Sequence, residues 1–157
     1  MSIPSDKPKI KLPTDDLEAL AKTIWAEARG EDSIGRMAVA AVILNRVKYA
    51  RAWRERNGSK FWWGETIAQV CTKAWQFSCW NENDPNLPKL IDGRAERDPA
   101  YPACLEVARL ALSGELTDMT GTATHYLNPK VLSKLPDWAD PEHETWRHGR
   151  HTFYRVV

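Results

Sequence analysis

The run Met37 to Leu44 is apolar without interruption and contains three alanines, Ala38, Ala40 and Ala41. A segment with no polar face has nothing to offer water, so as a helix it must be covered on every side. The alanines and the length of the surrounding stretch, 34 to 47, favour that helix over a buried strand. The chain must therefore supply other elements to cover it. The first of them precedes it: Leu17, Leu20, Ala21, Ile24, Trp25 and Ala28 recur at helical spacing and form one apolar stripe. Pro13, Thr14 and Asp15, with Glu18 three residues after Asp15, give a helix start, and Gly30 a stop.

From Lys48 to Gly64 the chain is basic and aromatic without clean periodicity and has a turn signal at Asn57-Gly58, which predicts a long loop. Thr66 predicts the cap of a short helix through Cys71. The segment Gln76-Phe77-Ser78-Cys79-Trp80-Asn81 then runs into the turn-rich Asn83 to Asn86. A further helix is expected over 100 to 112, opened by Asp98-Pro99 and closed by Gly114. Thr122 to Leu127 and His151 to Val156 alternate and are rich in Thr, Tyr, Phe and Val, as two strands of a small sheet would be. The outline is an α+β chain, mainly α, with residues 1–13 as a flexible lead-in to one domain over 14–157.

Composition removes several function classes. The 22 Lys and Arg are nearly balanced by 21 Asp and Glu, so no global field draws the chain to nucleic acid. No stretch reaches the roughly 20 apolar residues of a membrane span, and the N-terminus has no apolar core of a secretion signal, which predicts a cytoplasmic protein. Three cysteines, Cys71, Cys79 and Cys104, lack the spacing of a disulfide framework and are expected to be reduced, with Cys71 and Cys79 as buried hydrophobes. Eight tryptophans exceed the ordinary need of a core and hint at a cleft for flat ligand faces such as sugars.

On the first helix Glu27 falls near the azimuth of Leu20, at the border of the apolar stripe. Partial burial there penalises the carboxylate and raises the pKa, as a group that donates a proton near neutral pH requires. A glutamate in such a place also commonly pairs with an arginine, here Arg29 or Arg36. Glu31 lies one turn on and is a candidate second carboxylate for a glycosidase pair. Asn45 and Arg46 interrupt the buried helix and are expected to anchor a neighbouring loop or helix end.

The blocks Trp25-Ala26-Glu27-Ala28-Arg29-Gly30-Glu31, Gly35 with Ala38 to Val47, Gln76 to Asn81, Gly121 to Pro129 and His151 to Tyr154 together resemble the spore-cortex-lytic cell-wall hydrolase family (SleB-like). The resemblance reaches from about Leu17 to Tyr154. It implies a lysozyme-like fold, cleavage of the peptidoglycan glycan strand between N-acetylmuramic acid and N-acetylglucosamine, and Glu27 as the catalytic acid, with no cofactor and no metal. Relatives of this kind are similar to lytic transglycosylases, which need one acid rather than two. Substrate contacts are expected from Glu31, Gln76, Phe77, Ser78, Trp80, Asn81, His125 and Tyr126. Along an extended 76–81, Phe77 and Cys79 would pack inward while Ser78 and Trp80 face the cleft, or the reverse. Tyr126 is the preferred group to position substrate or acid, and His125 is as readily a structural histidine.

The sequence without a secretion signal suggests a phage endolysin, a monomer released to the wall through a hole made by a membrane partner. The rival classes are a zinc amidase or peptidase and a non-catalytic wall-binding module. Zinc is disfavoured because His143 and His148 stand five residues apart, about 140° around a helix axis, and cannot share one face.

Overall fold

The computed structural model describes residues 10–157. Helix α1 (Asp16–Ala28) begins where Asp15 accepts the Glu18 backbone N–H at 2.8 Å. Its residues Ala19 to Trp25 are all buried, so α1 lies deeper than its single stripe implies. Lys22 is held in that setting by Glu18 at 2.7 Å and Glu96 at 3.3 Å.

Helix α2 (Ser33–Asn57) is capped by the Asp32 side chain on the Gly35 N–H. It contains the apolar run, with Ala38 to Ile43 buried, and continues ten residues beyond the predicted end at 47. Residues 48–57 are thus helix rather than loop. Lys, Tyr, Ala, Arg, Trp and Glu all tolerate helix, and here the stripe fades because the outer turns meet solvent. Gly58, at φ +71°, ends the helix by donating to Arg54 O at 2.8 Å.

Helix α3 (Ile67–Thr72) carries the capping box of Thr66 and Gln69. A 3₁₀ turn (Ser78–Trp80) and the short α4 (Leu87–Ile91) and α5 (Arg94–Arg97) lead to α6 (Tyr101–Leu112). Helix α1 packs against α6, α3 and α2, so it is the axis of the main core.

The sheet has the order β1-β3-β2, all neighbours antiparallel, formed by β1 (His125–Leu127), β2 (Glu144–His148) and β3 (His151–Tyr154). The predicted strands are shorter than expected. Thr122 sits at φ +63°, outside the extended region. Strand β2 takes up residues 144–148, which are extended rather than helical, and its His148 bonds the Asp32 carboxylate at 2.8 Å. Gly149 opens the tight β2–β3 turn with φ +56°. Phe153 seats the sheet on α2 through Ala38 and Val42.

Three of the eight tryptophans belong to the core. Trp25, Trp63 and Trp80 are buried, Trp63 donating to Arg46 O at 2.9 Å and Trp80 to Thr23 Oγ1 at 2.9 Å. The three cysteines are free and buried.

Candidate active site

Glu27 sits in the last turn of α1, at the floor of a cleft of about 370 Å³. Burial raises its pKa from 4.5 to about 7; hydrogen bonding from the Tyr126 side chain opposes that rise, as does the Arg46 charge, while Asp84 adds to it. A carboxyl with that midpoint is poised to give up a proton near neutral pH and to take one back. Neither arginine proposed as its structural partner engages it. Arg29 lies over the Trp25 ring at 4.0 Å and bonds Asn86, and Arg36 donates to the Glu31 backbone carbonyl.

One wall of the cleft comes from Trp75 to Ser78 and the other from Tyr126 to Asn128 with Val131, Leu132 and His151. Gln76 accepts from Arg46 at 3.2 Å, which fixes its amide at the rim. Phe77 is buried beneath the Arg46 guanidinium, 5.0 Å from its ring centre, and Ser78 is exposed. The expected alternation over 76–81 is corrected: residues 78–80 form a 3₁₀ turn, so Cys79 and Trp80 both turn inward with Phe77. Trp80 is core. Asn81 accepts the Trp75 N–H at 3.4 Å and lines an adjoining cavity that shares Trp75 with the cleft.

Tyr126 and His125 separate as neighbours on a strand do. Tyr126 faces Glu27, and burial raises its own pKa well above 10, which keeps the hydroxyl protonated and able to donate. His125 meets Thr124 Oγ1 at 3.0 Å and packs beside Trp138 at 4.9 Å, and burial pushes its pKa down to about 4. It does not line the cleft with Glu27. Glu31 is corrected too. Its carboxylate turns to His151 Nδ1 at 4.0 Å, and it is not among the residues lining the cleft.

Sequence reasoning missed His151 and took Arg46 for an anchor alone. Arg46 is that anchor, donating to Thr124 O at 2.6 Å, and it also lines the cleft. The signal for its second part was present, because a buried cation seeks an anion. Trp75 is 83% exposed at φ +69°, an unusual backbone for a tryptophan, at the border of both cavities. Among the described residues no cluster of three His, Cys, Asp or Glu side chains is placed to hold a metal ion.

The mainly helical chain with its small sheet has a lysozyme-like fold, and the floor of its cleft carries one desolvated carboxylic acid. The chain belongs to the cell wall hydrolase family, whose model matches residues 30–154 and so begins just past Glu27. It is 30% identical over 139 residues to the spore cortex-lytic enzyme of Halalkalibacterium halodurans, covering 88% of this chain and 34% of that protein. It is 28% identical over 141 residues to that of Bacillus subtilis, covering 88% and 37%. The chain thus spans well under half of the length of these curated relatives. Among solved structures, it resembles the catalytic domain of the germination-specific lytic transglycosylase SleB from Bacillus anthracis. The TM-score is 0.62 at 26% identity, over 91% of this chain and 96% of that one. The Bacillus cereus SleB catalytic domain gives 0.61 at 26% identity, over 92% and 95%.

Proposed function

We propose that this protein cleaves the glycan strand of peptidoglycan between N-acetylmuramic acid and N-acetylglucosamine, as a lytic transglycosylase with Glu27 as its one acid and base. The observation that carries the reading is the buried carboxyl at the cleft floor, beside Tyr126 and Arg46 with a midpoint of about 7, while Glu31 is not among the residues that line the cleft. Protonated Glu27 gives its proton to the glycosidic oxygen as the C1–O bond breaks. The 6-hydroxyl of the same muramic residue then bonds C1, and its proton passes to the Glu27 carboxylate. The acid is regenerated and no water is consumed. Tyr126 stabilises the carboxylate between the two transfers, and Arg46 does so through its charge. A retaining or inverting hydrolase needs a second carboxylate about 5 to 10 Å away across the bond, and Asp84, whose charge acts on Glu27, is not among the residues lining the cleft.

The test is digestion of purified peptidoglycan with identification of products by mass. Anhydro-muramic ends are expected. Reducing ends would make the enzyme a muramidase, and free stem peptides released in a chelator-sensitive way would make it a zinc amidase. Sacculi bound without any soluble product would leave only a wall-binding module.

The proposal extends to delivery. The protein accumulates in the host cytoplasm as a monomer, in the manner of a phage endolysin, and reaches the wall through a membrane hole made by a partner. Cells expressing this chain are expected to stay intact until their membrane is permeabilised and then to lyse within minutes. Lysis that needs no permeabilisation contradicts this route.

A further inference from the structure

Glu31 and His151 have no part in the reaction described above, yet they are paired in a largely buried setting. Their side chains are 12% and 10% exposed, with Oε1 and Nδ1 4.0 Å apart. Two glycines make room for the carboxylate. A Cβ at Gly35 would stand 2.8 Å from Glu31 Cβ, and one at Gly149 would stand 2.6 Å from Glu31 Oε2. The Glu31 backbone is itself fixed, its N–H donating to Ala28 O and its carbonyl accepting from Arg36. On the other side, the His151 ring lies 4.8 Å from the Tyr126 ring, at the edge of the same cleft as Glu27. Tyr126 in turn hydrogen-bonds Glu27. The four side chains form one line from the glycine pocket to the reacting carboxyl.

We propose that Glu31 and His151 are a positioning pair, in which the carboxylate holds the imidazole by its Nδ1 side and the imidazole braces Tyr126 against Glu27. Glu31 then acts on the reaction through His151 and touches no substrate. With Nδ1 turned to Glu31, the ring's other nitrogen is the one left for the cleft, where it can meet a sugar hydroxyl. This rests on the glycan-cleaving reading of the site and assigns Glu31 its place in it.

The charges facing these groups set the direction of the effect. Glu27 faces Tyr126, Asp84 and Arg46, while His151 has Glu31 and Arg150 beside it. Tyr126 faces Glu27, Arg46 and Cys79. Since the Tyr126 hydrogen bond holds the Glu27 midpoint down, loosening Tyr126 lets that midpoint climb above about 7.

The experiment is a carbon-13 NMR titration of the Glu27 carboxyl, with kcat and KM on peptidoglycan, in wild type, Glu31→Gln, Glu31→Asp, His151→Ala and the Glu31→Gln/His151→Ala double variant. Glu31→Gln and His151→Ala are expected to raise the Glu27 midpoint and to lower kcat about tenfold with KM little changed. Glu31→Asp, which keeps the charge, is expected to recover most of the loss. The double variant should be no worse than His151→Ala alone, because the two act in series. A wild-type Glu27 midpoint in both folded single variants, or additive losses, overturns the proposal. So does a Glu31→Gln enzyme as inert as one lacking Glu27, which would make Glu31 a reacting group. If Glu31→Gln does not fold, the titration in His151→Ala decides the question alone. The titration also separates the two hypotheses, because it reads the pair even if Glu27 proves not to be the acid.

Discussion

Glu27→Gln is expected to lose about 10²- to 10⁴-fold in glycan cleavage, the usual contribution of a general acid, and to gain stability above neutral pH. Both effects have one source. In the fold the carboxyl keeps its proton up to about pH 7, whereas its ordinary midpoint is 4.5. Below pH 4.5 both folded and unfolded chains are protonated there, and glutamine, which is neutral, changes little. Between 4.5 and about 7 the unfolded chain loses the proton first, so unfolding releases it and wild-type stability falls as pH rises. Above pH 7 the whole cost is present, about 3 kcal/mol from the interval between the two midpoints. Glutamine carries no such cost. Denaturant unfolding of both proteins at pH 4 and pH 8 checks this. The curves should coincide at pH 4, and the variant should be the more stable at pH 8. Equal stability at pH 8 would mean that the carboxyl is not desolvated and would remove the basis for its role. Wild-type activity should correspondingly decline as pH rises through about 7, as the acid form is depleted.

The position of Glu27 was legible because it depends on one helix. Its azimuth beside Leu20 follows from the spacing of the stripe, and its burial follows from the azimuth. The capped starts of α1 and α3 were legible for the same reason, each being settled within four residues by Asp15 or Thr66. What failed was whatever another part of the chain decides. Residues 48–57 carry helix-forming residues but only Ala50 is buried among them, so periodicity was silent where propensity spoke. Trp80 could not be placed from alternation, because the 3₁₀ turn at 78–80 has a period near three. Glu31 shares a helical end with Glu27 in sequence, but the turn at Gly30 redirects it toward β3, over a hundred residues away. Arg46 shows the limit most clearly. A buried arginine announces a partner, and only the fold reveals that its partners are Thr124, Gln76 and the neighbourhood of Glu27.

That placement makes Arg46→Met the second large effect. The guanidinium donates to Thr124 O at 2.6 Å and to Gln76 Oε1 at 3.2 Å, and it lies over Phe77 at 5.0 Å and Trp63 at 5.5 Å. Burial lowers its pKa to about 10, so it remains charged at neutral pH. It therefore fastens α2 to the approach to β1 and to the 75–78 wall, and both walls of the cleft meet there. Methionine fills much of the space but leaves a buried carbonyl and an amide oxygen without donors, at an expected loss of about 3 kcal/mol. It also removes the cation near Glu27, so the Glu27 midpoint should climb and the high-pH decline in activity should move upward. Arg46→Lys separates the two parts. Lysine keeps the charge but cannot reproduce the forked bonds, so it should lose stability while the pH profile stays near that of the wild type. A methionine variant with an unmoved pH profile would reduce Arg46 to a fastening alone. A lysine variant as stable as the wild type would mean that charge, rather than the fork, joins the walls.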